Sequence, residues 1–527
     1  MAIKKSQIYA SLWTACDELR GGIEPASYKD YVLVFLFIKY ISDKYTGKKF
    51  APILVPEGSS FKDLVKLKGK VDIGYKINNN ILRPISEANN LHTFPDFNDP
   101  QKLGSGKEMV ERLTKLISVF EDKNLDFSKN QTEGDDILGD AYEYLMRNFA
   151  SESGKKKGAF YTPAEVSRIM SAVLEISKDK TSSNTTVYDP TCGSGSLLLK
   201  VSVAAKSNVT VYGQELDIST ANLAQMNMIL HDNPTAEVSQ GNVISNPKFL
   251  EKEKLKQFNY VVANPPFSDK RWSNGIDPEN DIYQRFDLGI PPSGKGDFAY
   301  MLHILKSLKK NGKAAVILPF GVLFRGNNEE VIRKNILKEG YIKCIINLAP
   351  NLFYGTSIPA CIVLINNNNN LKDNNIFLID ASQGFAKDGP KNRLREMDVK
   401  KIIDVFDNSE EIENYSKFVN NEEIVNNNYN LSLAKYISQK DTTEIQDIEA
   451  HLKGGIPEND ISLLKDYWQE LPNLHKELFK SKKKGYLESN LKSENISEKI
   501  LNNSDTVKFK KKISIIFEEW KNEIKLK

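Results

Sequence analysis

The chain has 527 residues, which is more than one hydrophobic core usually serves and predicts about three domains. Hydrophobic residues account for 40% and charged residues for 27%, a balance that indicates a folded globular protein and excludes disordered, collagenous and coiled-coil chains. The formal net charge of +3 is too small to indicate a nucleic-acid partner by itself, so such a function must rest on a specific site.

Residues 1–150 are predicted to form a helical N-terminal domain. Residues 28–45 are rich in large apolar side chains, and residues 109–120 place apolar side chains at helical spacing. Stretches rich in Gly, Pro and Asn predict loops at 69–80 and 94–106. The longest purely apolar run, Val32 to Ile38, is well short of the roughly 20 residues that span a bilayer, so we expect no transmembrane helix.

Residues 151–421 are predicted to form an α/β domain, which begins with a charged linker at 151–158. The predicted strands are 185–188, 209–213, 236–239, 258–263, 314–318, 342–347 and 361–365, with helices such as 219–231 and 298–308 between them. This alternation predicts a parallel, doubly wound, Rossmann-like sheet. Ligands of such a sheet bind at the carboxyl ends of its strands.

Residues 422–527 are predicted to be a helical C-terminal region. An apolar stripe at helical spacing is formed by Phe509, Ile513, Ile516, Phe517, Trp520 and Ile524. The stripe is equally compatible with packing on its own chain and with binding a partner. The Lys-rich stretches 480–484 and 508–512 are compatible with DNA contacts but are more typical of solvated faces.

The cysteines and the N-terminus indicate the compartment. The sequence contains four cysteines, at Cys16, Cys192, Cys344 and Cys361. No two of them form a CxxC pair, so we expect neither a zinc site nor a disulfide framework. The charged residues 1–6 are not followed by an apolar segment with a cleavage site, so we expect no signal peptide and a cytoplasmic protein.

A glycine-containing turn, residues 189–196, follows the first predicted strand and precedes a helix. Glycines in such a turn let a ligand approach the backbone near the free N–H groups of the helix. Leu198 stands where a dinucleotide fingerprint has its third glycine, and the turn contains no P-loop pattern. Glu215 ends the second strand, where a carboxylate can accept hydrogen bonds from ribose, or is an ordinary solvated acid. Asn242 ends the third strand and is suited to contact an adenine edge.

Asn264-Pro265-Pro266-Phe267 follows the apolar strand 258–263 and is the most informative motif. Two consecutive prolines exclude a helix interior and a central strand, and they leave carbonyl groups without competing N–H donors. Asn264 and the Pro265 carbonyl are therefore suited to act as hydrogen-bond acceptors in a cleft, with an aromatic ring beside them. A rigid turn that only ends the strand is the alternative interpretation.

These motifs resemble those of amino-methyltransferases of the γ order, and most closely those of the modification (M) subunits of type I restriction-modification systems. Residues 189–196 resemble the S-adenosylmethionine motif, residues 264–267 the adenine-type catalytic tetrapeptide, and residues 158–163 the cofactor-binding segment that precedes the glycine motif. The C-terminal residues 454–461 with Tyr467-Trp468 are also typical of such subunits. One departure is Asn242, where many relatives carry Asp.

The resemblance implies a methyltransferase domain and a set of site residues. The catalytic residues would be Asn264, Pro265, Pro266 and Phe267. The residues that bind S-adenosylmethionine would be Gly158, Ala159, Phe160, Tyr161, Thr162, Pro163, Asp189, Gly193, Ser194, Gly195, Ser196, Glu215 and Asn242. No metal and no covalent intermediate are needed. The expected reaction is methylation of the N6 amino group of adenine in DNA, with the target base flipped out of the duplex and stacked on Phe267.

The expected partners also follow from the resemblance. No second mixed domain is predicted after residue 365, so sequence reading is expected to be done by a separate specificity (S) subunit. A second copy of this chain and a restriction subunit are further expected partners. The alternatives are a methyltransferase acting on protein glutamine or on RNA, and a catalytically inactive scaffold that binds DNA and a partner.

Overall fold

The computed structural model describes residues 25–91, 94–122, 125, 162–206, 209–231, 233–353, 356–368, 375–389, 391–437 and 447–525. The chain forms two compact units, residues 1–439 and residues 440–527. None of the described helices combines the length and the apolar character needed to cross a membrane.

The N-terminal part of the first unit is helical, as expected. Its elements are α1 (Pro25–Tyr45), α2 (Phe61–Val65), α3 (Ile73–Lys76), a π-helical segment (Ile77–Leu82), α4 (Arg83–Asn89), α5 (Pro100–Leu103) and α6 (Lys107–Phe120). The apolar run Val32 to Ile38 is fully buried in this layer, which explains the apolar character of α1. The loop predicted at 69–80 is wrong, because Ile73, Ile77 and Ile81 are buried at helical spacing.

A nine-stranded sheet forms the centre of the first unit. Its strands are β1 (Thr186–Asp189), β2 (Thr210–Glu215), β3 (Glu237–Gln240), β6 (Phe258–Ala263), β7 (Leu308–Pro319), β8 (Ile342–Asn347), β9 (Ala360–Asn366), β10 (Ile376–Asp380) and β13 (Ser416–Val419), in the order β13-β10-β8-β9-β7-β6-β1-β2-β3. Two small hairpins pair β4 (Leu250–Glu251) with β5 (Lys254–Leu255) and β11 (Ala386–Asp388) with β12 (Lys391–Arg393). All seven predicted strands are present.

The α/β fold class is confirmed, with two corrections to the predicted sheet. β9 runs antiparallel to both β7 and β8, and β13 runs antiparallel to β10, so the sheet is mainly but not wholly parallel. The sheet also extends beyond residue 365, because β10 is buried along its whole length between β8 and β13.

Helices cover both faces of the sheet. They are α7 (Ala164–Val173), α8 (Ser196–Ala204), α9 (Ile218–Leu230), α10 (Asp297–Lys306), α11 (Asn328–Lys338), α12 (Glu396–Asp407) and α13 (Asn421–Asn426). The core on one face includes side chains of α7, α8 and α12, and the core on the other face includes side chains of α10 and α11. The first unit extends to Gln439, beyond the boundary expected after residue 421, because Leu431 and Ile437 are buried against the sheet.

The second unit contains helices and a small sheet. Its helices are α14 (Ile448–Lys453), α15 (Glu458–Ser462), α16 (Lys465–Glu470), α17 (Pro472–Leu478), α18 (Ser493–Asn502) and α19 (Ser504–Lys525), and its strands are β14 (Ile456–Pro457), β15 (Phe479–Lys483) and β16 (Tyr486–Ser489). The region is mainly helical, as expected, and it also contains a three-stranded sheet that was not predicted. Most of the Lys-rich stretch 480–484 lies in β15, where Lys480 pairs with Glu488 across the sheet.

The apolar stripe of the C-terminal region lies on α19 and is exposed. Phe509 is 37% exposed, and Ile516, Phe517 and Trp520 are each more than half exposed. The stripe is therefore not covered by the described part of its own chain. The side chain of Ile524 lies outside the described residues.

Candidate functional site

A cleft of about 810 Å³ opens at the carboxyl ends of β1, β2, β3 and β6. β1 lies between β2 and β6, and it is parallel to both strands. The strand order reverses at this position, because the chain proceeds from β1 through β2 and β3 to one edge and then returns to β6. Open parallel sheets bind their ligands at such a reversal point.

The turn after β1 brings the backbone close to β2. Gly193 and Gly195 have φ of 54° and 79°, a region in which L side chains are strained. The Cys192 N–H donates to the Gln214 carbonyl at 2.9 Å, and the Gly195 N–H donates to the Cys192 carbonyl at 2.8 Å. A Cβ added to Gly213 would lie 2.9 Å from Cys192 Sγ, so β2 also requires a glycine opposite the turn.

Two carboxyl groups flank this turn. Glu215 Oε2 accepts from the Gly193 N–H at 3.1 Å, and Glu215 Oε1 accepts from the Asp217 N–H at 2.9 Å. Burial raises the pKa of Glu215, although these two backbone bonds oppose the shift. Burial also raises the pKa of Asp189 to about 8, and the Asp189 carboxyl accepts from the Thr191 N–H at 2.9 Å. The cleft therefore contains acids that are poorly solvated in the absence of a ligand.

Two polar side chains in the cleft wall, Asn242 and Thr191, differ in the hydrogen-bonding groups that they leave available to a ligand. Asn242 Oδ1 accepts from the N–H groups of Ile244 at 2.8 Å and Ser245 at 3.2 Å. Its acceptor is therefore used within its own turn, which leaves Nδ2 as a donor. Thr191 Oγ1 is buried and has no hydrogen-bond partner among the described residues. A buried hydroxyl without a partner in a cleft wall fits a polar ligand.

The motif after β6 borders the same cleft. Asn264 is buried, and its Nδ2 donates to Thr162 Oγ1 at 3.1 Å. Pro266 lines the cleft, and the ring of Phe267 contacts the buried ring of Phe353, with centroids 6.1 Å apart. Asn264 and the Pro265 carbonyl thus lie at the same edge of the sheet as the glycine turn.

Only some of the predicted site residues line the cleft. Of those described, Gly193, Glu215, Asn242 and Pro266 line the cleft directly. Gly158, Ala159, Phe160 and Tyr161 lie outside the described residues, whereas Thr162 and Pro163 immediately precede α7. Ser194 and Ser196 are buried at the start of α8 and are not among the described residues of the cleft wall.

The sequence reasoning missed part of the cleft wall. Outside the turn at 189–196, the missed residues are Leu216, Asp217, Ile218, Thr220, Gln240, Gly241, Val243, Asp269, Arg271, Asn274 and Tyr300. Leu216 and Ile218 are 61% and 49% exposed, so they offer apolar surface to a flat ring. The signal in the sequence was that Leu216 and Ile218 are apolar although they follow the end of a strand at Glu215. Tyr300 donates to Asp269 at 3.0 Å across a long connection, a pairing that no local pattern indicates.

The cleft is suited to a nucleoside-containing ligand with a cationic or donor-rich end. It offers carboxylate acceptors for hydroxyl and amino donors, apolar surface for a ring, a turn that admits a ligand to the backbone, and a buried hydroxyl without a partner. The acceptors after β6 lie beside it and are suited to an exocyclic amine. The S-adenosylmethionine expected from the sequence fits this set of groups.

Two family models match the chain. The N-6 DNA Methylase model matches residues 133–445, and the HsdM N-terminal domain model matches residues 8–120. The first match covers the sheet, the cleft and the motif after β6.

Known proteins of similar sequence and structure share this organisation. The type I restriction enzyme MpnII methylase subunit of Mycoplasma pneumoniae is 31% identical, with 85% of this chain and 92% of that protein covered. The MjaVII methylase subunit of Methanocaldococcus jannaschii is 32% identical, with 85% and 81% covered. The solved methyltransferase subunit of a type I restriction-modification system from Streptococcus thermophilus has a TM-score of 0.73 at 30% identity, with 83% of this chain and 100% of that chain covered.

Proposed function

We propose that this chain methylates the N6 amino group of adenine, because it belongs to the N-6 DNA methylase family. It is a type I restriction enzyme methylase subunit, and therefore an S-adenosylmethionine-dependent DNA methyltransferase. The observation that carries this proposal is the position of Asn264 and Pro265, which follow β6 directly beside the cleft. We propose that residues 151–421 form the catalytic domain and that residues 1–150 and 422–527 flank it in the sequence.

The chemistry of the target explains why acceptors are needed. The N6 lone pair of adenine is delocalised into the ring, so the amine is a poor nucleophile while it is planar. Asn264 Oδ1 and the Pro265 carbonyl would each accept a hydrogen bond from the N6 amino group and favour tetrahedral geometry at N6. When bound, S-adenosylmethionine supplies an electrophilic sulfonium methyl group. Once the methyl carbon has exchanged its bond to sulfur for a bond to N6, the amine would release one proton to solvent. Holding the reactants in line can recover roughly 7–11 kcal/mol of the barrier.

The base has to leave the duplex to reach this position. Flipping costs a few kcal/mol, which stacking on an aromatic ring offsets in part. Phe267 is half-buried, and its ring makes a T-shaped contact with the buried ring of Phe353. We assign Phe267 to the stacking of the flipped adenine.

The cofactor is assigned to the cleft between the glycine turn and the ends of β2 and β3. Glu215 accepts hydrogen bonds from the ribose hydroxyls, and the turn at Gly193 and Gly195 admits the amino-acid portion close to the backbone. Asn242 keeps only Nδ2 free, so it donates to a ring nitrogen of the cofactor adenine, whereas an Asp in this position would accept from the amino group. We include Asp189, Ser194, Ser196, residues 158–161 and Pro163 in the cofactor site.

Within the complex, we assign this chain to the modification step and sequence reading to a specificity subunit. The formal net charge of +3 provides little general attraction to DNA. The exposed stripe on α19 is proposed to contact that subunit, because apolar side chains at this spacing bind partner helices. A second copy of this chain and a restriction subunit complete the proposed assembly.

The test compares the single chain with a complex formed by co-expression with its specificity subunit. We expect both to bind S-adenosylmethionine, and only the complex to transfer a tritiated methyl group to DNA in a sequence-specific manner. Asn264→Ala should abolish transfer without weakening cofactor binding, because this side chain acts on the transition state. Asn421→Ala, at an exposed asparagine of α13, is the matched control and should be fully active.

Two outcomes would overturn the proposal. Efficient sequence-specific methylation by the single chain would contradict the division of labour between subunits. Transfer to protein or RNA in preference to DNA would assign the chemistry to a different substrate.

A further inference from the structure

We propose that Thr162 is a positioning residue that holds the Asn264 side-chain amide in place for the target amine, an inference that rests on the function proposed above. It departs from the sequence-based expectation, which placed Thr162 among the residues that contact the cofactor. The geometry points to a contact between Thr162 and Asn264, two residues 102 positions apart in the chain.

The contact is buried and direct. Asn264 Nδ2 donates to Thr162 Oγ1 at 3.1 Å, and the two residues are only 4% and 5% exposed. Asn264 Nδ2 has no other hydrogen-bond partner among the described residues. Neither Thr162 nor Asn264 is among the described residues that line the cleft, which the motif after β6 reaches through Pro266.

The position of Thr162 is well determined by its neighbours. It immediately precedes Pro163, whose carbonyl accepts from the Ser167 N–H at 3.1 Å and from Ser167 Oγ at 3.2 Å. The helix that follows, α7, is anchored in the core through Val166, Ile169 and Met170, all fully buried. The Thr162 hydroxyl is therefore held against the end of β6 by the packing of a helix.

The orientation of this amide matters because its two ends have opposite hydrogen-bonding character. With Nδ2 engaged by Thr162, Oδ1 is left as the acceptor for the target amine. A half-turn of the amide would present NH₂ to NH₂, and no hydrogen bond would form. The Thr162 hydroxyl can donate as well as accept, so it does not select the orientation by itself. It holds the side chain in place and satisfies the buried Nδ2 while Oδ1 faces the target amine, which a side chain without a hydroxyl cannot do.

The first test replaces the hydroxyl without changing the shape of the side chain. Thr162→Val should lower kcat of the chain assembled with its specificity subunit by about tenfold to a hundredfold, as expected for a misplaced catalytic group. Thr162→Ser retains the hydroxyl and should restore kcat to within about threefold of the wild type, on the same scale. The dissociation constant for S-adenosylmethionine, measured calorimetrically on each full-length variant, should remain unchanged and also shows that the site is folded.

The second test separates kcat from KM. Because Thr162 acts through Asn264 and not on the cofactor, the loss in Thr162→Val should fall on kcat and leave KM for S-adenosylmethionine unchanged.

Three results would overturn the inference. They are an unchanged kcat in Thr162→Val, a failure of serine to restore it, and a loss of cofactor affinity in parallel with kcat. The last result would return Thr162 to the cofactor site. Failure of the proposed function is distinguishable, because it would appear as a wild-type complex that transfers no methyl group to adenine in DNA.

Discussion

Replacing Glu215 by alanine should weaken cofactor binding and leave the fold intact. The carboxylate accepts from the backbone of Gly193 and Asp217 at 3.1 and 2.9 Å and still has lone pairs for a ligand. Losing its bonds to two ribose hydroxyls should cost about 1–3 kcal/mol, because the hydroxyls would be left unpaired in a partly buried cleft. This corresponds to a cofactor dissociation constant raised by roughly 5- to 150-fold.

The effect on stability in the absence of cofactor should be small, because two contributions oppose each other. Two backbone N–H groups lose an acceptor, which destabilises the fold. An acid whose pKa is raised by burial is also removed, which relieves a desolvation cost. A cofactor concentration of 100 times the wild-type dissociation constant stabilises the wild type by about 2.7 kcal/mol. It should stabilise a variant with 50-fold weaker binding by only about 0.6 kcal/mol.

Isothermal titration calorimetry and thermal unfolding of the single chain measure both quantities. Glu237→Ala is the matched control, since Glu237 is an exposed acid on the neighbouring strand β3. Glu215→Gln retains one acceptor oxygen and should be intermediate. Unchanged cofactor affinity in Glu215→Ala would refute the assignment of this carboxylate to the ribose.

Three further predictions concern the turn, the buried acid and the exposed stripe. Gly195→Ala should destabilise the chain by about 1–2 kcal/mol because of its left-handed backbone. It should also weaken cofactor binding, unlike Gly69→Ala, which has a similar φ but open surroundings; equal binding by both variants would contradict this. The raised pKa of Asp189, about 8 in the folded chain, means that the contribution of this residue to the stability of the cofactor-free chain should fall as pH rises from about 4 to 8, because the folded state retains a proton that the unfolded state releases. The free energy of unfolding of the wild type, measured relative to that of Asp189→Asn, should therefore fall over this pH range, and a constant difference would refute the cause. Replacing Phe517 and Trp520 by serine should weaken co-purification with the specificity subunit before it affects cofactor affinity, and intact assembly would exclude the α19 stripe as the contact.

The parts of the site that could be predicted from the sequence are those that depend on local chain geometry. The glycine turn, Glu215 and the motif at Asn264 each follow a buried strand directly, and parallel strands end at one edge of the sheet. Their convergence therefore follows from the strand pattern alone. The hydrogen-bond partner of Asn264 could not be predicted in this way, because Thr162 is 102 residues away and a hydroxyl gives no periodic signal.

Other features could not be predicted from the sequence, each for a different physical reason. Phe353 and Tyr300 reach the site through tertiary packing, and their local sequence is that of ordinary core residues. The helical segment at 73–82 contains three consecutive asparagines, a composition that predicts a loop. Asn78 accepts from the Phe97 N–H and Asn79 donates to the Tyr75 carbonyl, while the isoleucines of the segment are buried. The antiparallel direction of β9 is set by the connection from β8, which is not encoded in the composition of either strand.

The identity of the methylated nucleoside tests the central claim most directly. DNA modified by the chain together with its specificity subunit, with isotopically labelled S-adenosylmethionine, should be digested to nucleosides and analysed by mass spectrometry. The account predicts that the label appears in N6-methyl-2′-deoxyadenosine and disappears when Asn264 is replaced by alanine. Label in a methylated cytosine nucleoside, or undiminished adenine labelling by Asn264→Ala, would contradict it.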